Sequence, residues 1–133
     1  MGRPIIELIT TARQNSLDNV TILDKYSLLE LAKIYNGIGP DRFPAHLREF
    51  VTEVNTIFEP AALIHDVEYH EGGSKADFTA ANTRFRRNCD ILVDNAYAWY
   101  DPRRYYWEFK AWRFSRYCEY FGLEGYKETE AEP

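Results

Sequence analysis

Helix start and stop signals divide most of this sequence into short segments and constrain its fold more than any other feature. Residues 27–30 are Ser-Leu-Leu-Glu, a capping box in which the hydroxyl caps the helix and the carboxylate returns to the cap. Residues 74–77, Ser-Lys-Ala-Asp, repeat this pattern with a shorter acid. Gly37, and then Gly72 with Gly73, stand where glycine commonly ends a helix. These signals predict a mostly α protein.

Between the signals, apolar residues recur at helical spacing. Pro44 and Pro60 each suit the first turn of a helix, and Asp101 followed by Pro102 marks a break before the last helix. The pattern predicts four or five helices, over about 28–36, 44–58, 60–70, 75–96 and 103–121.

One helical domain over residues 1–123 accommodates these helices, followed by a polar, acidic tail over 124–133. Within residues 1–22 the apolar residues fit either a short strand or the start of a helix, and we treat this stretch as an irregular N-terminal segment. A length of 133 residues suits one domain, and a hydrophobic content of 45% is enough for a core. Cys89 and Cys118 are too few for a disulfide framework, so we expect buried free thiols.

Charge and hydropathy exclude several classes of function. A net charge of −5 argues against a nucleic-acid partner. No run approaches the roughly 18 consecutive apolar residues of a membrane span. The first residues also lack the layout of a signal peptide, because Glu7 and Thr10 soon interrupt their apolar run. We therefore expect a cytoplasmic protein without a transmembrane segment.

His65, Asp66 and Tyr69 form the most chemically informative group in the sequence. His65 and Tyr69 lie four residues apart, so on a helix they share one face, while Asp66 is rotated by about 100°. An imidazole can take a proton near neutral pH, and a carboxylate can bind a hard cation. Asp77 begins the next helix after a short turn, so antiparallel packing would bring it near this group. Whether it reaches His65 depends on the turn.

The order of these residues resembles the HDxxY and ADxxF signature of phospholipase A2-like proteins. The stretch over residues 60–69 contains His65, Asp66 and Tyr69, and Ala76-Asp77-Phe78 follow on a helix that continues to Phe85. The pattern is most similar to the viral capsid-borne type, and to small phage and prophage proteins of undetermined function. The resemblance implies an antiparallel pair of active-site helices, and a protein that is cytoplasmic or associated with a phage particle.

The resemblance also implies roles for individual residues. His65 would be the general base for attack of water on a phospholipid ester, supported by Tyr69 and Asp77. Asp66 would bind calcium, and the backbone of a glycine-rich loop would complete the calcium site. The candidate loop residues are Tyr35, Gly37 and Gly39. The implied cofactor is calcium, and the implied partner is a phospholipid or membrane surface.

Two alternatives remain open at this point. The first is a non-catalytic structural or interaction protein of a phage or prophage that retains the fold. The second is a helical metal phosphohydrolase, in which His46, His65 and Asp66 would bind a transition metal together with Asp90 or Asp94. This second alternative leaves Tyr69 and Asp77 without a role.

The last predicted helix is crowded with aromatic residues interleaved with arginine and lysine. Such a surface suits a lipid–water interface, because amphipathic rings lie at the level of the headgroups. It equally suits a protein interface, including one that forms an oligomer, or a thick core of stacked rings. The rings on this helix and just before it are Trp99, Tyr100, Tyr105, Tyr106, Trp107, Phe109, Trp112, Phe114, Tyr117, Tyr120 and Phe121.

Overall fold

A computed structural model of the protein describes residues 4–37 and 57–121. Within these ranges the chain forms five α-helices, which confirms the predicted mostly α fold. Most of the helix predicted over 44–58, and the acidic tail over 124–133, lie outside the described residues. The helices are α1 (Ile5–Gln14), α2 (Leu28–Gly37), α3 (Glu59–Glu71), α4 (Lys75–Ala96) and α5 (Arg103–Phe121), with a 3₁₀ helix (Val20–Lys25) between α1 and α2.

The predicted capping boxes begin α2 and α4. At α2 the Ser27 backbone N–H donates to Glu30 Oε1 over 2.8 Å, and the Glu30 N–H donates to Ser27 Oγ over 3.1 Å. This reciprocal pair satisfies two backbone donors that a helix start otherwise leaves unpaired. The described part of α2 extends to Gly37, where its stop signal lies.

The turn between α3 and α4 depends on two glycines. Gly72 has a φ of 69° and Gly73 a φ of 135°, both in the range that favours glycine. A Cβ atom at Gly73 would also collide with the Asp77 carboxylate. This tight turn allows α4 to follow α3 directly, and the two helices pack against each other.

The N-terminal segment is more regular than predicted, because α1 occupies much of the stretch expected to be irregular. Leu8, Ile9 and Ala12 are buried on one side of α1, at the spacing of a helix face. Packing of this face in the core favours the helix over the strand that the sequence left open. A turn follows α1, with Ser16 and Asn19 at φ values of 53° and 64°.

The helix α3 lies at the centre of the core. Leu63, Ile64 and Val67 are fully buried, and α3 contacts α1, α2, α4 and the 3₁₀ helix. The helix α4 packs along both α3 and α5 and buries most of its predicted apolar face, although Ala96 is exposed. Cys89 and Cys118 are buried free thiols, as predicted. Among the described residues, no helix is both long enough and apolar enough to cross a membrane.

Candidate active site

His65 is held on α3 by a side chain of α4. Its Nε2 atom lies 2.8 Å from Oδ1 of Asn82, and the Tyr69 hydroxyl donates to the same oxygen over 2.7 Å. The amide oxygen that lies between these two groups can only accept hydrogen bonds. Nε2 of His65 therefore carries the proton and donates, which leaves the lone pair of a neutral imidazole on Nδ1.

Aromatic rings fix the orientation of the His65 imidazole. The ring centroids of His65 and Tyr69 are 4.2 Å apart, and those of His65 and Phe85 are 4.7 Å apart. Phe85 also packs against Phe114 of α5, at 5.0 Å between centroids. His65 itself is only 5% exposed. The site is thus a buried imidazole between two helices, backed by a third.

The structure does not bring Asp77 to His65. The Asp77 carboxylate accepts from the Ser74 backbone N–H over 3.0 Å, and the Asp77 N–H donates to Ser74 Oγ over 3.2 Å. Asp77 is therefore the acid of the α4 capping box, and its side chain is exposed at the start of the helix. Asn82, one and a half turns further along α4, occupies the place beside His65 that we had assigned to Asp77.

Sequence reasoning missed Asn82, although a signal for it is present. The motif ADxxF requires a phenylalanine three residues after its acid, whereas Phe78 directly follows Asp77. Residues 81–85 are Ala-Asn-Thr-Arg-Phe, which meets this spacing with asparagine in place of aspartate. Asn82 and Phe85 are three residues apart, so they share one face of α4, and both contact His65. The spacing of this motif is therefore met at residues 81–85 rather than at 76–78, with asparagine in the place of its aspartate.

Asp66 follows His65 but points to different surroundings. Its side chain is partly buried, and within the described part of the chain no hydrogen bond or opposite charge offsets the loss of water around it. Burial raises the pKa of the Asp66 carboxyl well above its usual range. Burial is the largest cause of the raised pKa of the Cys118 thiol, and the negative charge of Asp66 is the second. Asp66 therefore lies near Cys118 on α5. Burial without a compensating partner therefore favours the neutral form of this carboxyl.

The other residues of the predicted calcium site are only partly described. Tyr35 lies in the last turn of α2, and its hydroxyl donates to Glu59 Oε1 over 3.0 Å, which links the end of α2 to the start of α3. Gly37 is the last residue of α2, and Gly39 lies outside the described residues. Among residues 4–37 and 57–121, no three His, Cys, Asp or Glu side chains are grouped so that they could bind a metal ion.

The metal phosphohydrolase alternative gains no support from the described residues. His46 lies outside them. Asp90 accepts from Arg86 Nε over 3.4 Å, and Asp94 accepts from Arg104. Both carboxylates are therefore engaged by arginines of α4 and α5.

An ion pair between Glu68, which directly precedes Tyr69, and the partly exposed Arg84 joins α3 to α4. Arg84 donates from Nε to Glu68 Oε1 over 2.8 Å, and a second guanidinium nitrogen donates to the same oxygen. Glu68 is buried, and the loss of water around its carboxyl raises the pKa more than the neighbouring Arg84 lowers it. Removing Arg84 would leave the buried Glu68 carboxylate without its partner, so the pair favours the observed register of the two helices.

Comparisons of this chain with protein-family models, with curated proteins and with solved structures find no match. A proposal for its function therefore depends on the His65 site and on the order of residues around it.

The burial of His65 predicts a loss of stability in acid. Desolvation lowers the pKa of His65 to about 4 from its ordinary 6.5, although the Asn82 hydrogen bond opposes the shift. The pKa of His65 is lower in the folded than in the unfolded state, so its neutral imidazole adds to the free energy of unfolding above pH 6.5. This contribution is lost as the pH falls from 6.5 to about 4. The loss reaches at most roughly 3 kcal/mol.

Urea unfolding of the wild type and of His65→Gln across this pH range measures the effect. The difference between their unfolding free energies isolates His65, since carboxylates with raised pKa values change stability in both proteins. We expect this difference to shrink as pH falls from 6.5 to 4. A constant difference would contradict the assignment of a neutral, buried imidazole.

Proposed function

We propose that this protein is a calcium-dependent phospholipid ester hydrolase of the phospholipase A2-like type, with His65 as its general base. The observation that carries this proposal is the convergence of His65 Nε2 and the Tyr69 hydroxyl on Asn82 Oδ1. That arrangement holds the imidazole in one orientation and one tautomer, which is what a general base on a rigid helix requires.

The chemistry follows from the free Nδ1 lone pair. Nδ1 would accept a proton from water as the water oxygen forms a bond to the ester carbonyl carbon. The resulting imidazolium would then return that proton to the alkoxide oxygen of the leaving lysophospholipid as the ester C–O bond breaks. Asn82 and Tyr69 would keep the ring in place through both transfers, and Phe85 would prevent it from rotating.

Asp66 would hold the calcium ion, because no hydrogen bond or opposite charge within the described part of the chain offsets the loss of water around its carboxylate. When bound, calcium supplies positive charge that stabilises the oxyanion formed on the ester carbonyl. Backbone carbonyls after α2, in the segment that includes Gly39, would complete its coordination.

The test measures the release of fatty acid from phospholipid vesicles by the purified protein in the presence of calcium. We expect His65→Gln to lower the rate by about 10²- to 10⁴-fold, the usual contribution of a general base. His70→Gln is the matched control, because His70 lies on the same helix but is exposed, and its ring contacts Tyr26. Equal rates for His65→Gln and the wild type would refute the assignment.

Calorimetric titration with calcium tests the metal ligand separately. We expect the wild type and His65→Gln to bind calcium, and Asp66→Asn to lose binding, because an amide lacks the charge that balances the ion. Calcium binding that is unchanged in Asp66→Asn would remove Asp66 from the site.

A second candidate is a phage or prophage protein that retains this helical pair without efficient catalysis. The observation in its favour is Asn82 itself, since a neutral amide does not balance the charge of an imidazolium as a carboxylate does. This candidate predicts calcium binding without measurable release of fatty acid.

A further inference from the structure

One side of α5 carries rings that the proposed reaction does not use. Tyr105, Phe109, Trp112 and Arg116 follow one another at spacings of four, three and four residues, which places them in one line along the helix. All four are exposed, and the ring centroids of Phe109 and Trp112 lie 6.1 Å apart. We call this line the outward face of α5. The opposite face packs in the core and includes the fully buried Ala111.

The exposed rings of α5 offer enough surface for an interface between two copies of the chain. Five of these rings are 48–68% exposed and, at about 200 Å² each, present on the order of 550 Å² per copy. Two copies together would bury roughly 1,100 Å², which matches the area of about 1,000 Å² that a specific interface needs. Exposed apolar surface of this extent is uncommon on a monomer. The five rings are Tyr105, Tyr106, Phe109, Trp112 and Tyr120.

Charge does not keep two such faces apart. The cation of the outward face is Arg116, whose Nη1 atom lies 3.3 Å from Oε1 of Glu119. Arg113 lies at the edge of the face, with its guanidinium over the Tyr117 ring at 5.8 Å. Lys110 is only 9% exposed. The line of rings is therefore close to neutral, and a second copy meets little repulsion there.

We propose that the outward faces of two copies of this chain pack as an antiparallel helix pair, which makes the protein a symmetric dimer. A two-fold axis midway between Phe109 and Trp112 places each Phe109 opposite the partner's Trp112, and each Tyr105 opposite the partner's Arg116. Rings then meet rings at the centre, and at each end a guanidinium lies over a tyrosine ring, which attracts cations.

The match of the face with itself favours a second copy over other occupants. Aromatic side chains and arginine, the residues that dominate the energetics of many protein interfaces, are supplied here by both sides of one pairing. A parallel pair is less favourable, because it places Arg116 opposite the partner's Arg116 and aligns the two helix dipoles. An acidic partner is also less favoured, since Glu119 already pairs with Arg116.

Sedimentation velocity of the full chain measures the association. An interface of this size predicts a dissociation constant in the micromolar range, so we expect dimers above that concentration and monomers below it. Phe109→Ser with Trp112→Ser is expected to weaken association at least roughly 30-fold. Leu28→Ser with Leu29→Ser removes two similarly exposed apolar side chains from α2 and is expected to leave the dimer intact. Circular dichroism of all variants checks that the helices remain folded.

Disulfide cross-linking tests the antiparallel register without removing the rings at its centre. Tyr105→Cys and Arg116→Cys are prepared as separate proteins and oxidised with copper phenanthroline. We expect cross-linked dimers when the two proteins are mixed, and none when either is oxidised alone. In the antiparallel pair, equal positions of the two chains lie about 16 Å apart along the helix, too far for a disulfide. The wild type, whose cysteines are both buried, is the control.

Several results would overturn the proposal. They are a wild type that stays monomeric well above micromolar concentration, a dimer that survives in the Phe109 and Trp112 variant, and equal weakening in the Leu28 and Leu29 control. Cross-linking of either cysteine variant alone would exclude the antiparallel pair. These measurements involve no turnover, so a failure of the proposed hydrolysis leaves them unaffected. In solutions more dilute than the dissociation constant the chain is a monomer, and association does not contribute to its unfolding free energy.

Discussion

Aspartate in place of Asn82 is expected to raise the rate of calcium-dependent ester hydrolysis by about 10²- to 10⁴-fold. When Nδ1 of His65 takes a proton, the ring becomes a cation whose Nε2–H points at position 82. A carboxylate there stabilises this cation, whereas an amide oxygen offers only a dipole. The magnitude follows from the loss of about 10⁴-fold when a triad aspartate becomes asparagine.

The local hydrogen bonding accommodates this substitution. Oδ1 of Asn82 already accepts from His65 and Tyr69, and a carboxylate oxygen accepts in the same way. Nδ2 of Asn82 is buried and has no hydrogen-bond partner among residues 4–37 and 57–121. Its replacement by oxygen therefore removes no hydrogen bond, and we expect Asn82→Asp to fold like the wild type.

Initial rates of fatty-acid release measure the gain, and two further variants make it specific. Asn95→Asp, an exposed change on the same helix, is expected to leave the rate unchanged. Asn82→Asp combined with His65→Gln is expected to be as slow as His65→Gln alone, because the carboxylate acts through the imidazole. The proton signal of His65 Nε2–H in NMR spectra should move downfield in Asn82→Asp. An unchanged rate despite this shift would exclude His65 as the base.

Local signals predicted the helix boundaries well because capping is decided by neighbouring residues. The boxes at Ser27 and Ser74 and the stop at Gly72 involve groups within a few residues of each other. The same locality explains why Asp77 was misplaced. The Asp77 carboxylate accepts a hydrogen bond from the backbone of Ser74, three residues away, and so stays at the start of α4 instead of pairing with a side chain of α3.

The partner of His65 was not predictable from local pattern alone. Asn82 lies 17 residues from His65, and only the packing of α4 along α3 brings them together. Spacing did predict that His65 and Tyr69 share a face, because four residues make about one helical turn. The choice between helix and strand for the segment that forms α1 stayed open for a related reason, since burial of Leu8 and Ile9 against other helices decides it.

Phe85→Ala is expected to destabilise the protein by about 3–5 kcal/mol, the largest effect on stability that we predict. Phe85 is 1% exposed and packs between His65 of α3 and Phe114 of α5. Its removal would leave a cavity where three helices meet, and their backbones cannot close it without breaking other contacts. The loss is comparable with the entire stability of many domains of this size, about 5–15 kcal/mol.

Urea unfolding of Phe85→Ala and Phe109→Ala distinguishes this role from a general effect of losing a phenyl ring. Phe109 is 51% exposed on the outward face of α5, so its replacement should change the unfolding free energy by less than about 1 kcal/mol. Similar losses in both variants would mean that Phe85 does not join the three helices. A large loss in Phe85→Ala alone would show that the packing that orients the His65 ring also holds α3, α4 and α5 together.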